Sequence, residues 1–163
     1  MTGEDTTVAT PRPPVRQAVL VRSGRAHTFD VFVRTIDAWW PRTPFSAGHE
    51  RVREVRFERF EGGRVYEIWS DGTEVDWGRL RVWEPPRRFV LSWRLTGVET
   101  EVELAFAELG PALTRVTVEH RGWERLSEAQ LAAACRTPGG YSGGAFDEGW
   151  AAILGRLRSA AEG

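Results

Sequence analysis

The sequence predicts an α+β fold, a curved seven-stranded antiparallel sheet wrapped around a long C-terminal helix. Three observations predict it. Between residues 51 and 121, six alternating, β-rich segments follow one another with only turn-length breaks. A seventh segment of the same kind stands near the N-terminus, and the last stretch of chain repeats apolar residues at helical spacing. Short connections make neighbouring strands antiparallel, and a sheet with one apolar face has to bury it against another layer.

In chain order, residues 1–14 are polar and carry Pro11, Pro13 and Pro14, which reads as a disordered tail ahead of one domain over 15–163. Residues 15–22 alternate and form a strand that Gly24 breaks. Phe29, Phe32, Val33, Ile36 and then Trp39 or Trp40 recur at helical spacing, so 26–39 is an amphipathic helix. Pro41 and Pro44 end it, and 41–50 is a loop with room for a short turn of helix. The six later strands are 51–60, 64–70, 73–83, 88–95, 100–109 and 113–121. Their breaks, Gly62-Gly63, Asp71-Gly72, Pro85-Pro86, Gly97 and Gly110-Pro111, are turn chemistry. Residues 127–135 form a short helix capped by Ser127, and 137–144 form a Gly-rich loop that would make the mouth of a cavity. Phe146, Trp150, Ile153, Leu154 and Leu157 then mark one face of the C-terminal helix.

Composition narrows the function. A chain of 163 residues suits one domain. With 41% hydrophobic and 28% charged residues it carries enough apolar surface for a core, which excludes wholesale disorder. All 22 basic residues are Arg, dispersed among 23 acidic ones, and a formal charge of −1 argues against a nucleic-acid partner. No run approaches the roughly 18 apolar residues of a membrane span, and no signal peptide is visible, so the expected location is cytoplasmic. The single Cys135 excludes an internal disulfide and reads as a packed core thiol in Leu131-Ala-Ala-Ala-Cys135. His27, His49 and His120 are far apart and no phosphate-binding loop or nucleophile elbow is present, so neither metal nor cofactor is expected. Eight Trp in a chain of this size point to an aromatic core or an aromatic-lined cavity.

A family resemblance rests on specific runs. Gly62-Gly-Arg-Val-Tyr-Glu67, Asp71-Gly72, Gly78-Arg-Leu-Arg-Val-Trp-Glu-Pro-Pro86 and Arg88-Phe-Val-Leu-Ser-Trp93 carry it, with Trp39-Trp40-Pro41 and Thr114-Arg-Val-Thr-Val-Glu-His-Arg-Gly-Trp123 in support. Over about residues 15–160 the chain resembles the homologues of the activator of the ninety-kilodalton heat-shock protein ATPase. That AHSA-type family belongs to the START-like (SRPBCC) helix-grip superfamily. The resemblance implies a helix-grip fold with a hydrophobic ligand cavity.

Hairpin arithmetic assigns faces. A two-residue Asp71-Gly72 turn pairs Trp69 with Glu74, Glu67 with Asp76 and Val65 with Gly78. Leu80 and Val82 want the interior, so Glu67, Trp69, Asp76 and Gly78 point inward with them. The Pro-Pro hairpin sets Val82 opposite Phe89 and Gly78 opposite Trp93, where the missing side chain leaves room for the indole. His120 shares the inward parity of Val116 and Val118. The outer face carries Tyr66, Ile68, Val75 and Trp77, an apolar patch that predicts a homodimer. The expected ligand-binding residues are Glu67, Trp69, Asp76, Trp93, His120, Tyr141, Phe146 and Trp150, with Glu67 and Asp76 sharing a proton inside an apolar bowl. The leading function is binding of a small hydrophobic molecule, aromatic or polyketide-like. The alternatives are a cyclase/aromatase-like enzyme in which Glu67, Asp76 or His120 moves protons, and an interaction module resembling the chaperone activators.

Overall fold

The computed structural model describes residues 12–135 and 144–163. Strand β1 (Val15–Val21) leads through Gly24 into helix α1 (Arg25–Trp39). The helix buries Phe29, Phe32, Val33, Ile36 and Trp39, and ends where Pro41 removes the next backbone donor. A helical turn α2 (Arg42–Phe45) and a 3₁₀ turn (His49–Arg51) fill the expected loop. Strands β2 (Val52–Phe57), β3 (Arg64–Trp69), β4 (Glu74–Glu84), β5 (Arg88–Trp93), β6 (Thr100–Gly110) and β7 (Leu113–Arg121) follow, then α3 (Glu128–Ala134) and α4 (Ala145–Glu162). Ser127 caps α3 through a reciprocal box with Gln130.

The seven strands form one sheet in the order β1-β7-β6-β5-β4-β3-β2, every neighbour antiparallel. The meander from β2 to β7 needs only connections of two to six residues, and β1 closes the far edge against β7. Its concave face receives α1 and α4, so one core holds the apolar sides of all three layers. α4 buries Trp150, Ile153, Leu154 and Leu157 there. β5, β6 and β7 align Phe89 with Leu104 and Val118, and Leu91 with Val102 and His120, the inward set that their alternation predicts.

β4 departs from simple alternation twice. Val65 pairs with Gly78 as expected, but Tyr66 then pairs with Asp76, which leaves Trp77 as an extra residue. Leu80 pairs with Leu91, Val82 with Val90 and Trp83 with Phe89, which leaves Arg81 as a second. Each bulge swaps the two faces beyond it. Trp77 and Trp83 therefore turn into the core, while Asp76 and Val82 leave it. This corrects three expectations. Glu67 faces Val75, not Asp76, and Val82 is not opposite Phe89. The apolar outer patch loses its indole, since Trp77 is 1% exposed inside. The Arg64 guanidinium covers the Tyr66 ring at 3.8 Å, so the surface proposed for a homodimer is not there. Gly78 is required, though not by Trp93: a Cβ on it would lie 1.6 Å from the Ser92 carbonyl oxygen. Within the stretch expected to be a disordered tail, Arg12 is held by the carbonyls of Trp123 and Leu126 and by Glu128.

Candidate functional site

A cleft of about 670 Å³ opens at one end of the sheet, between the first half of α4, the end of α3, the end of β5 and the α2 segment with the loop after it. Five aromatic rings wall it, those of Trp40, Phe45, Trp93, Phe146 and Trp150. Trp93 and Trp150 lie 5.4 Å apart, Trp40 is 6.3 Å from Trp93 and 6.1 Å from Trp150, and Trp77 backs them from the core at 4.8 Å from Trp40. Tilted and edge-on contacts of this kind stabilise one another beyond simple burial. Gly149 admits Phe45: a Cβ there would stand 2.8 Å from that ring. The Trp40 indole N–H donates to the Phe45 carbonyl at 2.8 Å, which fixes the α2 segment over the cleft. Ser46, His49 and Glu148 supply the polar part of the lining.

Behind the rim lies Glu67, completely buried. Its Oε1 accepts from the Ala47 N–H at 2.9 Å and the Trp77 indole at 2.7 Å. Its Oε2 accepts from the Gly48 N–H at 2.6 Å and the Trp69 indole at 2.7 Å. Four donors satisfy a buried carboxylate without a cation. They also occupy both oxygens, so Glu67 holds the rim and has nothing left to offer a ligand. Gly48 has to lack a side chain to come this close, because a Cβ would sit 2.4 Å from the Trp69 Nε1.

His120 is also completely buried, beneath Trp93, Trp123, Phe146 and Trp150. Its Nδ1 accepts from the Trp150 indole at 3.1 Å, and its Nε2 lies 2.8 Å from Thr100 Oγ1. An indole only donates, so Nδ1 carries no proton and the Nε2–H donates to Thr100. Burial pushes the imidazole pKa down to about 3, so at neutral pH it is a neutral link between sheet and helix. Trp93 differs from the other cleft indoles, since its Nε1–H is buried with no hydrogen-bond partner among the described residues.

The other expected site residues scatter. Phe146, Trp93 and Trp150 line the cleft. Trp69 supports Glu67 from behind, with the Arg51 guanidinium 4.1 Å above its ring. Asp76 lies on the convex face, bound by Arg64 at 2.7 Å, and forms no pair with Glu67. Tyr141 lies outside the described residues. Sequence reasoning missed Trp40, Phe45 and His49. The usable signal was Pro44-Phe45, an aromatic residue in a proline-bearing loop with no local element to pack on. Among the described residues no cluster of His, Cys, Asp and Glu could hold a metal ion, and no helix is long and apolar enough to cross a membrane.

A curled seven-stranded antiparallel sheet gripping a C-terminal helix, with an aromatic cleft at the end of the grip, defines a helix-grip protein. The chain belongs to the Activator of Hsp90 ATPase homolog 1-like family, whose pattern matches residues 26–162. None of the curated proteins matches it. Among solved structures it resembles the anthrahydroquino-γ-pyrone synthase Txn09, with 30% identity over 92% of this chain and 97% of that one and a TM-score of 0.59. It also resembles CalC, a self-sacrificing resistance protein from Micromonospora echinospora, with 29% identity over 91% and 94% and a TM-score of 0.65. The Aha1 dimer from Colwellia psychrerythraea shares the fold at 11% identity over 93% and 97%, with a TM-score of 0.62.

Proposed function

We propose that the protein binds a small, flat, aromatic molecule of polyketide type in the cleft between α4 and the α2 rim. The observation that carries this reading is the cleft's make-up, five aromatic rings around about 670 Å³ with few polar groups. That volume falls within the range of ligand sites, and a mainly apolar lining with a few polar groups is their usual chemistry. The similarity to a synthase named for an anthrahydroquino-γ-pyrone product supports the same ligand class. The three residues expected to move protons in an enzyme are not available to a ligand in the cleft. Both oxygens of Glu67 are taken, both nitrogens of His120 are engaged, and Asp76 is outside.

Titration with anthraquinone, followed by tryptophan fluorescence, tests the reading. Stacking beside Trp93 and Trp150 should quench the emission with a saturable profile. Ala134→Trp, which fills the cleft from α3, should abolish the saturation while leaving the melting transition cooperative. Unchanged emission in the parent protein, or equal quenching in both proteins, would refute cleft binding.

A further inference from the structure

The segment from Ser46 to His49 is built more firmly than a connecting loop requires. Its three successive backbone N–H groups are all tied down. Those of Ala47 and Gly48 donate to the buried Glu67 carboxylate at 2.9 and 2.6 Å, and that of His49 donates to Ser46 Oγ at 2.9 Å. The Ser46 hydroxyl donates in turn to the Arg42 carbonyl at 2.5 Å. This clamp ends on His49, whose φ of 53° is the only positive value at a non-glycine residue among the described residues. A left-handed backbone is unfavourable for an L residue with a bulky side chain and persists only where its surroundings impose it. Glycine would take the conformation freely.

The strain positions something. His49 lines the aromatic cleft, and no hydrogen bond, ion pair or ring contact engages its imidazole among the described residues. The other polar groups nearby are committed or peripheral, since the Ser46 hydroxyl is spent on the clamp and Glu148 is exposed. Resting on the cleft-binding reading, we propose that His49 is the specificity-determining contact, a hydrogen-bond acceptor for a free phenolic hydroxyl on the bound aromatic molecule. Glu67 then acts as a positioning residue, holding the backbone that aims the imidazole. An unprotonated imidazole nitrogen accepts from a phenol O–H.

The test compares 2-hydroxyanthraquinone, whose hydroxyl is free to donate outward, with anthraquinone, which has the same rings and no hydroxyl. The parent protein should bind the hydroxylated compound about 5–10-fold more tightly, the effect of one net hydrogen bond. His49→Gly should hold the two compounds within about twofold of each other, whatever happens to their shared affinity, and should melt no lower, since glycine accepts the backbone conformation. His49→Asn, which also tolerates a left-handed backbone and keeps a polar acceptor, should restore part of the preference. A parent protein that binds both compounds equally, or a His49→Gly variant that keeps the preference, overturns the role of His49 while leaving cleft binding intact. Failure of the parent to bind either compound overturns the cleft reading and this assignment with it.

Discussion

A buried carboxylate met only by N–H donors is sensitive to the identity of both its oxygens. In Glu67→Gln one oxygen becomes an NH₂ group that confronts two donors it cannot accept from, either Ala47 and Trp77 or Gly48 and Trp69. Urea unfolding should show a loss of about 2–4 kcal/mol, in keeping with charged hydrogen bonds broken in the interior. Two tryptophans separate hydrogen bonding from volume. Trp77→Phe and Trp93→Phe remove the same atoms from neighbouring sites, but the first takes a donor from Glu67 and the second deletes an N–H that has no partner. Trp77→Phe should therefore be the more destabilising by about 1.5–3 kcal/mol, and equal losses would contradict the network described for Glu67. His120 supplies a pH dependence. Its folded pKa of about 3 lies below the usual imidazole value of 6.5, so its contribution is fully present above pH 6.5. As pH falls below that value the unfolded chain takes up a proton that the folded one refuses. Stability should then fall by about 1.4 kcal/mol per pH unit toward pH 3, and His120→Gln should flatten this slope between pH 6.5 and 5.

At the scale of elements, β4 decides the interior. Its two bulges bring Trp77 and Trp83 inward and expel Asp76 and Val82. The first bulge depends on Gly78, because any side chain there meets the Ser92 backbone, which cannot withdraw as a flexible side chain would. Gly78→Ala should destabilise by at least about 2–3 kcal/mol, read as a lower denaturant midpoint, and a neutral effect would mean that the strands separate easily at this point. The hairpins themselves were legible in the sequence, because Asp71-Gly72, Pro85-Pro86 and Gly110-Pro111 announce where the chain reverses. So was the inward set of β5, β6 and β7, where alternation holds over Phe89–Trp93, Thr100–Glu108 and Thr114–His120. The bulges were not legible, because Val75-Asp76-Trp77-Gly78 offers an apolar residue at either parity. The choice was made by the Trp77 indole reaching Glu67 and by the Arg64 guanidinium reaching Asp76, contacts set by tertiary packing. The site suffered most from this, since pairing Glu67 with Asp76 rested on uninterrupted register.

For the molecule as a whole, the two faces of the sheet have opposite chemistry. Across the convex face runs a chain of alternating charge, from Arg16 to Glu119, Arg121, Glu103, Arg88 and Glu84, that joins β1, β7, β6, β5 and β4. These pairs are partly exposed, so they satisfy the surface more than they stabilise it. On the concave face the aromatic residues form the core and continue without a break into the cleft, where Trp93 and Trp150 belong to both. A ligand seated there is in contact with the residues that hold α4 to the sheet, so occupancy should stabilise the whole fold. At a ligand concentration of about 100 times Kd the gain is about 2.7 kcal/mol, and for a domain of this size each kcal/mol raises Tm by about 2–4 °C. Anthraquinone near its solubility limit should therefore raise Tm by several degrees in proportion to the logarithm of its concentration. Glu67→Gln should bind more weakly and show a smaller shift, because the rim it anchors is loosened. A protein that acts only as a docking module for other chains would melt at the same temperature with and without the compound.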